Sequence, residues 1–310
     1  MKIGITSAFF AACLFAGLTL SPACAFAETI KDAKSDNASL LKKPKSENRA
    51  SMEAMQIPSH GAQMNALVYV AAGAGPHPVV ILLHGFPGNE RNLDLAQDMR
   101  RAGWDVVYFN YRGAWGSSGD FSFSHGIEDV AAMIAYMRQP ANAERLRLDP
   151  ARIVLVGHSM GGFMAVQAAS ADPAIKGIAM ISAADMGGMF EQMSKQKSPQ
   201  TALHDMSAGL AGEGMAPLSG CTPDGLAKEL ADHASAWAFQ SKVDALKGLP
   251  ALVVTSDDGL ASANEAFANA LRHADDTRVT TVHLATDHAY SDRRIELSHA
   301  LVKWLAPLAR

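Results

Sequence analysis

Four groups in this sequence could do chemistry together if the fold brought them to one place. The segment Gly157-His158-Ser159-Met160-Gly161 sets a serine between glycines. A serine hydroxyl attacks poorly unless a neighbouring base takes its proton. Four histidines follow Ser256. His273 and His299 fall in helical patterns and His283 inside a strand pattern, whereas His288 occupies a loop just past a strand. A carboxylate that fixes the tautomer of the imidazole would complete the set. Asp257 and Asp258 stand side by side after the apolar run Ala251–Ser256. Asp258 is preferred because Asp258-Gly259-Leu260 sets an aliphatic residue two places after the acid; Asp257 is the alternative. An oxyanion would need N–H donors. In His84-Gly85-Phe86-Pro87-Gly88, Pro87 has no N–H, which leaves Phe86, and Met160 follows the serine directly. His84 is assigned a supporting part, hydrogen-bonding to hold its own loop. The chemistry these groups would perform is nucleophilic attack on a carbonyl.

Gly-x-Ser-x-Gly alone is a weak signal, since a chain of this length contains one by chance roughly one time in ten. Its surroundings carry more. Arg152–Gly157 reads as a buried strand and Gly161 opens a helical pattern, so the serine falls on a strand–turn–helix junction. Further strands are expected at Ala66–Ala71, Pro78–Gly85, Trp104–Tyr111, Gly177–Ala183, Ala251–Ser256 and Val279–Ala285. Most are continuously apolar, as strands covered on both faces must be. Amphipathic helical patterns alternate with them, which predicts a doubly wound, mainly parallel α/β sheet. In such a sheet, reactive groups gather at the carboxyl ends of the strands. Ser159, Asp258 and His288 all follow strand candidates. The rhythm breaks over residues 186–247, a methionine-rich stretch without a strand. It is too long for a plain connection and is expected to form a helical cap with adaptable apolar surface.

The first 27 of the 310 residues read as a secretory signal peptide: Lys2, an apolar run, and Ala25-Phe26-Ala27 before Glu28. Export to the periplasm or medium is therefore expected. A lipoprotein cysteine at Cys24 is the weaker option, because Ser-Pro-Ala before it fits a lipobox poorly. Residues 28–55 are polar and read as a flexible lead-in, with the folded domain expected over 56–310. No stretch after the leader is apolar for the ~20 residues a membrane span needs. Cys221 would be the one cysteine left in the mature chain, and no Cys/His spacing resembles a zinc site. The net charge of −4 and the lack of a long basic block argue against a nucleic-acid partner. No cofactor or metal is expected, and oligomeric state is not legible.

His84-Gly85-Phe86-Pro87-Gly88, the Ser159 motif, Asp258 and His288, in that order, resemble the α/β-hydrolase superfamily over residues 60–310. The segments Phe109–Phe123 and Thr286–Arg294 look like the group of prolyl-oligopeptidase-type, acylaminoacyl-peptidase-like and dienelactone-hydrolase-like enzymes. The resemblance implies a cofactor-free Ser-His-Asp hydrolase that cleaves a small-molecule ester or acyl substrate through an acyl-enzyme. A peptidase or another amide or C–C hydrolase is the near alternative, and a non-catalytic periplasmic binding protein the distant one. The chain has no room for the β-propeller of the oligopeptidases, and its acid loop is one residue tighter than the common Gly-x-x-Asp spacing.

Overall fold

The computed structural model describes residues 48–274 and 278–310, so the leader and the lead-in as far as residue 47 lie outside the described residues. Eight strands form one sheet. They are β1 (Ser51–Ser59), β2 (Ala62–Val70), β3 (His77–Leu83), β4 (Asp105–Phe109), β5 (Leu148–His158), β6 (Ile178–Ile181), β7 (Ala251–Thr255) and β8 (Val279–His283). Their order across the sheet is β1-β2-β4-β3-β5-β6-β7-β8. β1 and β2 pair antiparallel with each other, β2 pairs antiparallel with β4, and every pairing from β4 to β8 is parallel.

Strands β3, β4, β6 and β7, and β5 from Ile153 onward, are buried along their whole length because both faces are covered. Val79, Ile81 and Leu83 of β3 belong to one apolar cluster and Val80 and Leu82 to the other. The second face is closed by α1 (Leu93–Arg101) and the C-terminal helix Arg294–Leu305. On the first face lie α2 (Phe123–Arg138), the short α3 (Pro140–Leu146) and α4 (Met160–Ala171). α4 has no polar side: all ten residues Met160–Ala169 are buried. It is the helix that leaves the serine, wedged between sheet and cap.

β1 lies partly in the stretch expected to be flexible, so order begins upstream of residue 55. The strand was hidden by its half-exposed burial and its place at the sheet edge. A tight turn at His60-Gly61, both at positive φ, returns the chain into β2.

Between β6 and β7 come α5 (Met186–Gln196), α6 (Pro199–Gly212) and α7 (Pro223–Trp237), then two single 3-10 turns. Charge and main-chain pairing fasten this insertion to the body. The Glu229 carboxylate accepts from the Phe123 and Ser124 N–H groups, both at 2.9 Å, and so covers the positive end of α2. Gln167 of α4 donates to the Trp237 carbonyl at 3.0 Å. The loop after β4 exchanges main-chain bonds with residues 217–219, through Trp115 N–H to Pro217 O and Ser219 N–H to Gly113 O. The last two helices are α8 (Ala261–Ala274) and α9 (Arg294–Leu305). Among the described residues no helix is long and apolar enough to cross a membrane.

Candidate active site

Ser159 stands between β5 and α4 with φ 57° and ψ −123°. For a residue with a Cβ this is a sparsely populated conformation, costing about 1–3 kcal/mol that the surroundings must offset. The glycines on either side make the turn sterically possible. A Cβ on Gly157 would come within 2.0 Å of the Gly161 carbonyl oxygen, and one on Gly161 within 2.0 Å of the Leu83 oxygen. Helix, turn and neighbouring strand therefore meet backbone to backbone. Main-chain bonds hold the distorted residue: Ser159 N–H donates to Ile181 O at 2.9 Å, and Ala184 N–H to Ser159 O at 3.0 Å.

The loop after β3 packs directly on this turn, since a Cβ on Gly85 would lie 2.9 Å from the Ser159 Cβ. Phe86 is half-buried there, its ring near those of Phe121 and Phe123. Met160 is the first residue of α4, and a helix leaves its first four N–H groups without intrahelical acceptors. His84 is fully buried beside Tyr108 and Tyr111. Its Nδ1–H donates to Gly85 O at 2.8 Å, and burial lowers its pKa to about 4, so the ring is neutral. Trp115 Nε1–H ties the far side of the loop to Pro87 O at 2.8 Å.

The loop after β8 carries His288, whose Nδ1 lies 2.7 Å from Asp258 Oδ2 at the end of β7. A carboxylate can only accept, so Nδ1 carries the proton and the lone pair of the neutral ring sits on Nε2. The Asp258 side chain is only 4% exposed. Burial pushes its pKa up, but bonds from Ser182, His288, the Leu260 N–H and Ser256 outweigh it and hold the group below the usual carboxylate range. The two serines belong to a hydroxyl cluster: Ser182 Oγ is 3.0 Å from Ser256 Oγ and 2.8 Å from the Tyr290 hydroxyl. Ser182 and Tyr290 are both held at positive φ.

Asp257 goes elsewhere. Its carboxylate lies 3.3 Å from Nε2 of His283, and both side chains are largely in solvent. His273 and His299 lie in α8 and α9. Cys221 is a free thiol, half-buried, with a pKa raised chiefly by burial. Among the described residues no three of His, Cys, Asp and Glu cluster in a way that could hold a metal ion.

Ser182, Ser256, Tyr290 and His158 join the site although neither their residue type nor their spacing singles them out in the sequence. Ser182 immediately follows β6 and Ser256 follows β7, so position on the reactive rim was the available signal for those two. Tyr290 had none. His158, next to the serine, packs its ring against that of His288 with centroids 4.7 Å apart.

Comparison with known proteins agrees with this architecture. A thermostable carboxylesterase cloned from a metagenomic library superposes with a TM-score of 0.61 at 21% identity, covering 91% of this chain and 97% of the other. Est1E from Butyrivibrio proteoclasticus, with ferulic acid bound, gives 0.63 at 19% identity, covering 82% and 99%. The esterase of Pyrobaculum calidifontis gives 0.60 at 21% identity, covering 91% and 93%. No curated protein sequence matches the chain at a significant level. A family model described as the alpha/beta hydrolase fold matches residues 78–283, about two thirds of the chain, and the chain belongs to that family.

Proposed function

We propose that the protein is a serine hydrolase that cleaves carboxylic esters through an acyl-enzyme. The observation that carries this reading is the 2.7 Å contact between His288 and a buried, ionised Asp258, made in a loop packed against the residue preceding a strained serine. Similar folds in a carboxylesterase, in an esterase and in a protein with ferulic acid bound support an ester rather than a peptide as substrate.

In this mechanism Ser159 Oγ attacks the carbonyl carbon while Nε2 of His288 takes its proton. Asp258 stays ionised and stabilises the imidazolium that forms. The Phe86 and Met160 N–H groups receive the oxyanion, and losing one such donor costs ~10²–10³ in turnover. The imidazolium then protonates the leaving alkoxide. Water repeats the attack on the acyl-serine, returning the acid product and free enzyme.

Ser159→Ala should abolish hydrolysis of a p-nitrophenyl short-chain ester and labelling by a fluorophosphonate. Labelling that persisted in the variant would reject Ser159 as nucleophile. Export rests on the leader alone, and mass spectrometry of the exported protein should find Glu28 at its amino end; an uncleaved chain confined to the cytoplasm would overturn it.

A further inference from the structure

His158 lies between glycine and serine in the motif, and the mechanism above gives it no task. Its ring is 3% exposed, so a buried polar side chain needs a reason. Nε2 lies 2.9 Å from the main-chain oxygen of His288, 130 residues away. A carbonyl oxygen can only accept, so the proton is on Nε2 and Nδ1 carries the lone pair. Nδ1 is buried with no partner among the described residues. One side of the ring is thus fully used and the other left unsatisfied, a cost tolerated for the sake of the single bond that is made. The ring also lies against the imidazole of His288, tilted by 38°.

We propose that His158 is a positioning residue: it holds the main chain of His288, and so aims that imidazole between Asp258 and Ser159. Neighbouring contacts fix adjoining atoms but not this one. Arg294 donates to the Ala289 carbonyl at 3.0 Å and is itself held by Asp94 and Asn92. Asp258 grips Nδ1 of the side chain. Without His158 the His288 carbonyl would have no anchor to the serine turn, and the ring could swing about the Asp258 contact. Burial chiefly, and then the proximity of His288, lower the pKa of His158 to about 4 against the opposing bond to the His288 carbonyl. Its neutrality suits the role, because a second cation here would oppose the imidazolium that His288 becomes.

The inference rests on the hydrolase reading and is tested so that the two can fail separately. Three variants are compared by kcat and KM on the same ester, each normalised by titrating the fluorophosphonate-reactive sites. His158→Phe keeps a stacking ring and loses the donor. His158→Gln can place an amide N–H near the position of Nε2, while His158→Asn places it nearer Nδ1, out of reach of the carbonyl. We expect kcat per active site to fall roughly 10- to 100-fold in the Phe and Asn variants, the scale of a misplaced catalytic group. KM should stay within about twofold of wild type, and the Gln variant should recover most of the loss. A Phe variant with wild-type kcat, or Gln and Asn variants equally impaired, would overturn the proposal. If the Phe variant does not fold, the Gln and Asn pair decides alone. A wild-type protein that neither turns over esters nor takes the label would instead defeat the hydrolase reading itself.

Discussion

Asp257 and Asp258 are neighbours in the chain, of one residue type, and each faces a histidine, yet they form two different kinds of site. Asp258 and His288 meet at 2.7 Å on the inner side of the β7 end, with the carboxylate almost wholly buried and supplied with donors. Asp257 and His283 meet at 3.3 Å on the open edge, with the carboxylate 63% exposed. Water competes for every interaction of the outer pair. Asp258 has traded water for four fixed donors, so its charge and direction are set before any substrate arrives. What separates a candidate catalytic dyad from a surface ion pair is therefore the donors around the acid.

Removing the charge of the inner acid alone separates the two pairs. Asp258→Asn preserves shape but lets the amide stabilise the wrong tautomer of His288, so turnover should fall about 10⁴-fold. Steady-state kinetics on a p-nitrophenyl ester would measure it. A loss smaller than tenfold would mean that the acid is elsewhere.

A third carboxylate shows what burial does when donors are lacking. Asp105, at the start of β4 on the opposite rim, is wholly buried. One oxygen accepts the Ala71 N–H at 2.7 Å, and the other has no partner among the described residues. Burial lifts its pKa from 3.8 to about 7, against the pull of the Ala71 N–H and Arg147. The native state therefore prefers the neutral acid. Below the ordinary pKa this group costs nothing; as pH climbs through the window from 3.8 to about 7 it increasingly destabilises the fold. Asp105→Asn imitates the protonated acid at every pH. Its advantage over wild type in urea unfolding should be greater at pH 8 than at pH 5, by about 2 kcal/mol. An advantage that did not change with pH would show that Asp105 does not titrate in this range.

These contrasts mark what a linear reading could reach. The parallel strands were legible because double-sided burial demands unbroken apolar runs such as Val79–Leu83 and Ile153–Val156. The serine turn was legible because backbone contact at Gly157 and Gly161 admits only glycine. β1 was not, since an edge strand half in water can mix Met52, Glu53 and Gln56 without penalty. Nor were the supports of Asp258. Ser182, Ser256 and Tyr290 are ordinary residues whose value arises only when three strand ends converge across separations of 74 and 108 residues. Spacing along the chain favoured Asp258 over Asp257, but it carried no hint of the hydroxyls that make the preference physical.

Removing those hydroxyls tests the claim directly. Ser182→Ala takes a donor from Asp258 and removes the 2.8 Å contact of the Tyr290 hydroxyl with the Ser182 side chain. A neutral donor to a charged group contributes about 1.5–3 kcal/mol, and Ser256, His288 and the Leu260 N–H remain to share the load. Turnover should fall about tenfold, with the loss growing toward acid pH as the less supported carboxylate protonates more easily. Tyr290→Phe, one step farther from the acid, should cost less. A flat pH dependence of the Ser182→Ala loss would place the effect in packing instead.

The smallest effect belongs to the outer pair, and its smallness is the informative outcome. Asp257→Asn removes a charge that solvent already screens, from an imidazole that keeps its 3.0 Å contact with Thr255 Oγ1. Exposed pairs of this kind contribute about 0–1 kcal/mol, so turnover should change less than twofold and the unfolding midpoint hardly at all. The main-chain N–H of Asp257 still donates to Thr286 O at 3.1 Å, which keeps the acid loop joined to the loop that carries His288. If Asp257→Asn nonetheless lowered turnover as far as Asp258→Asn does, the inner dyad could not be acting alone. Charge at the open edge would then have to reach the serine through the His288 loop.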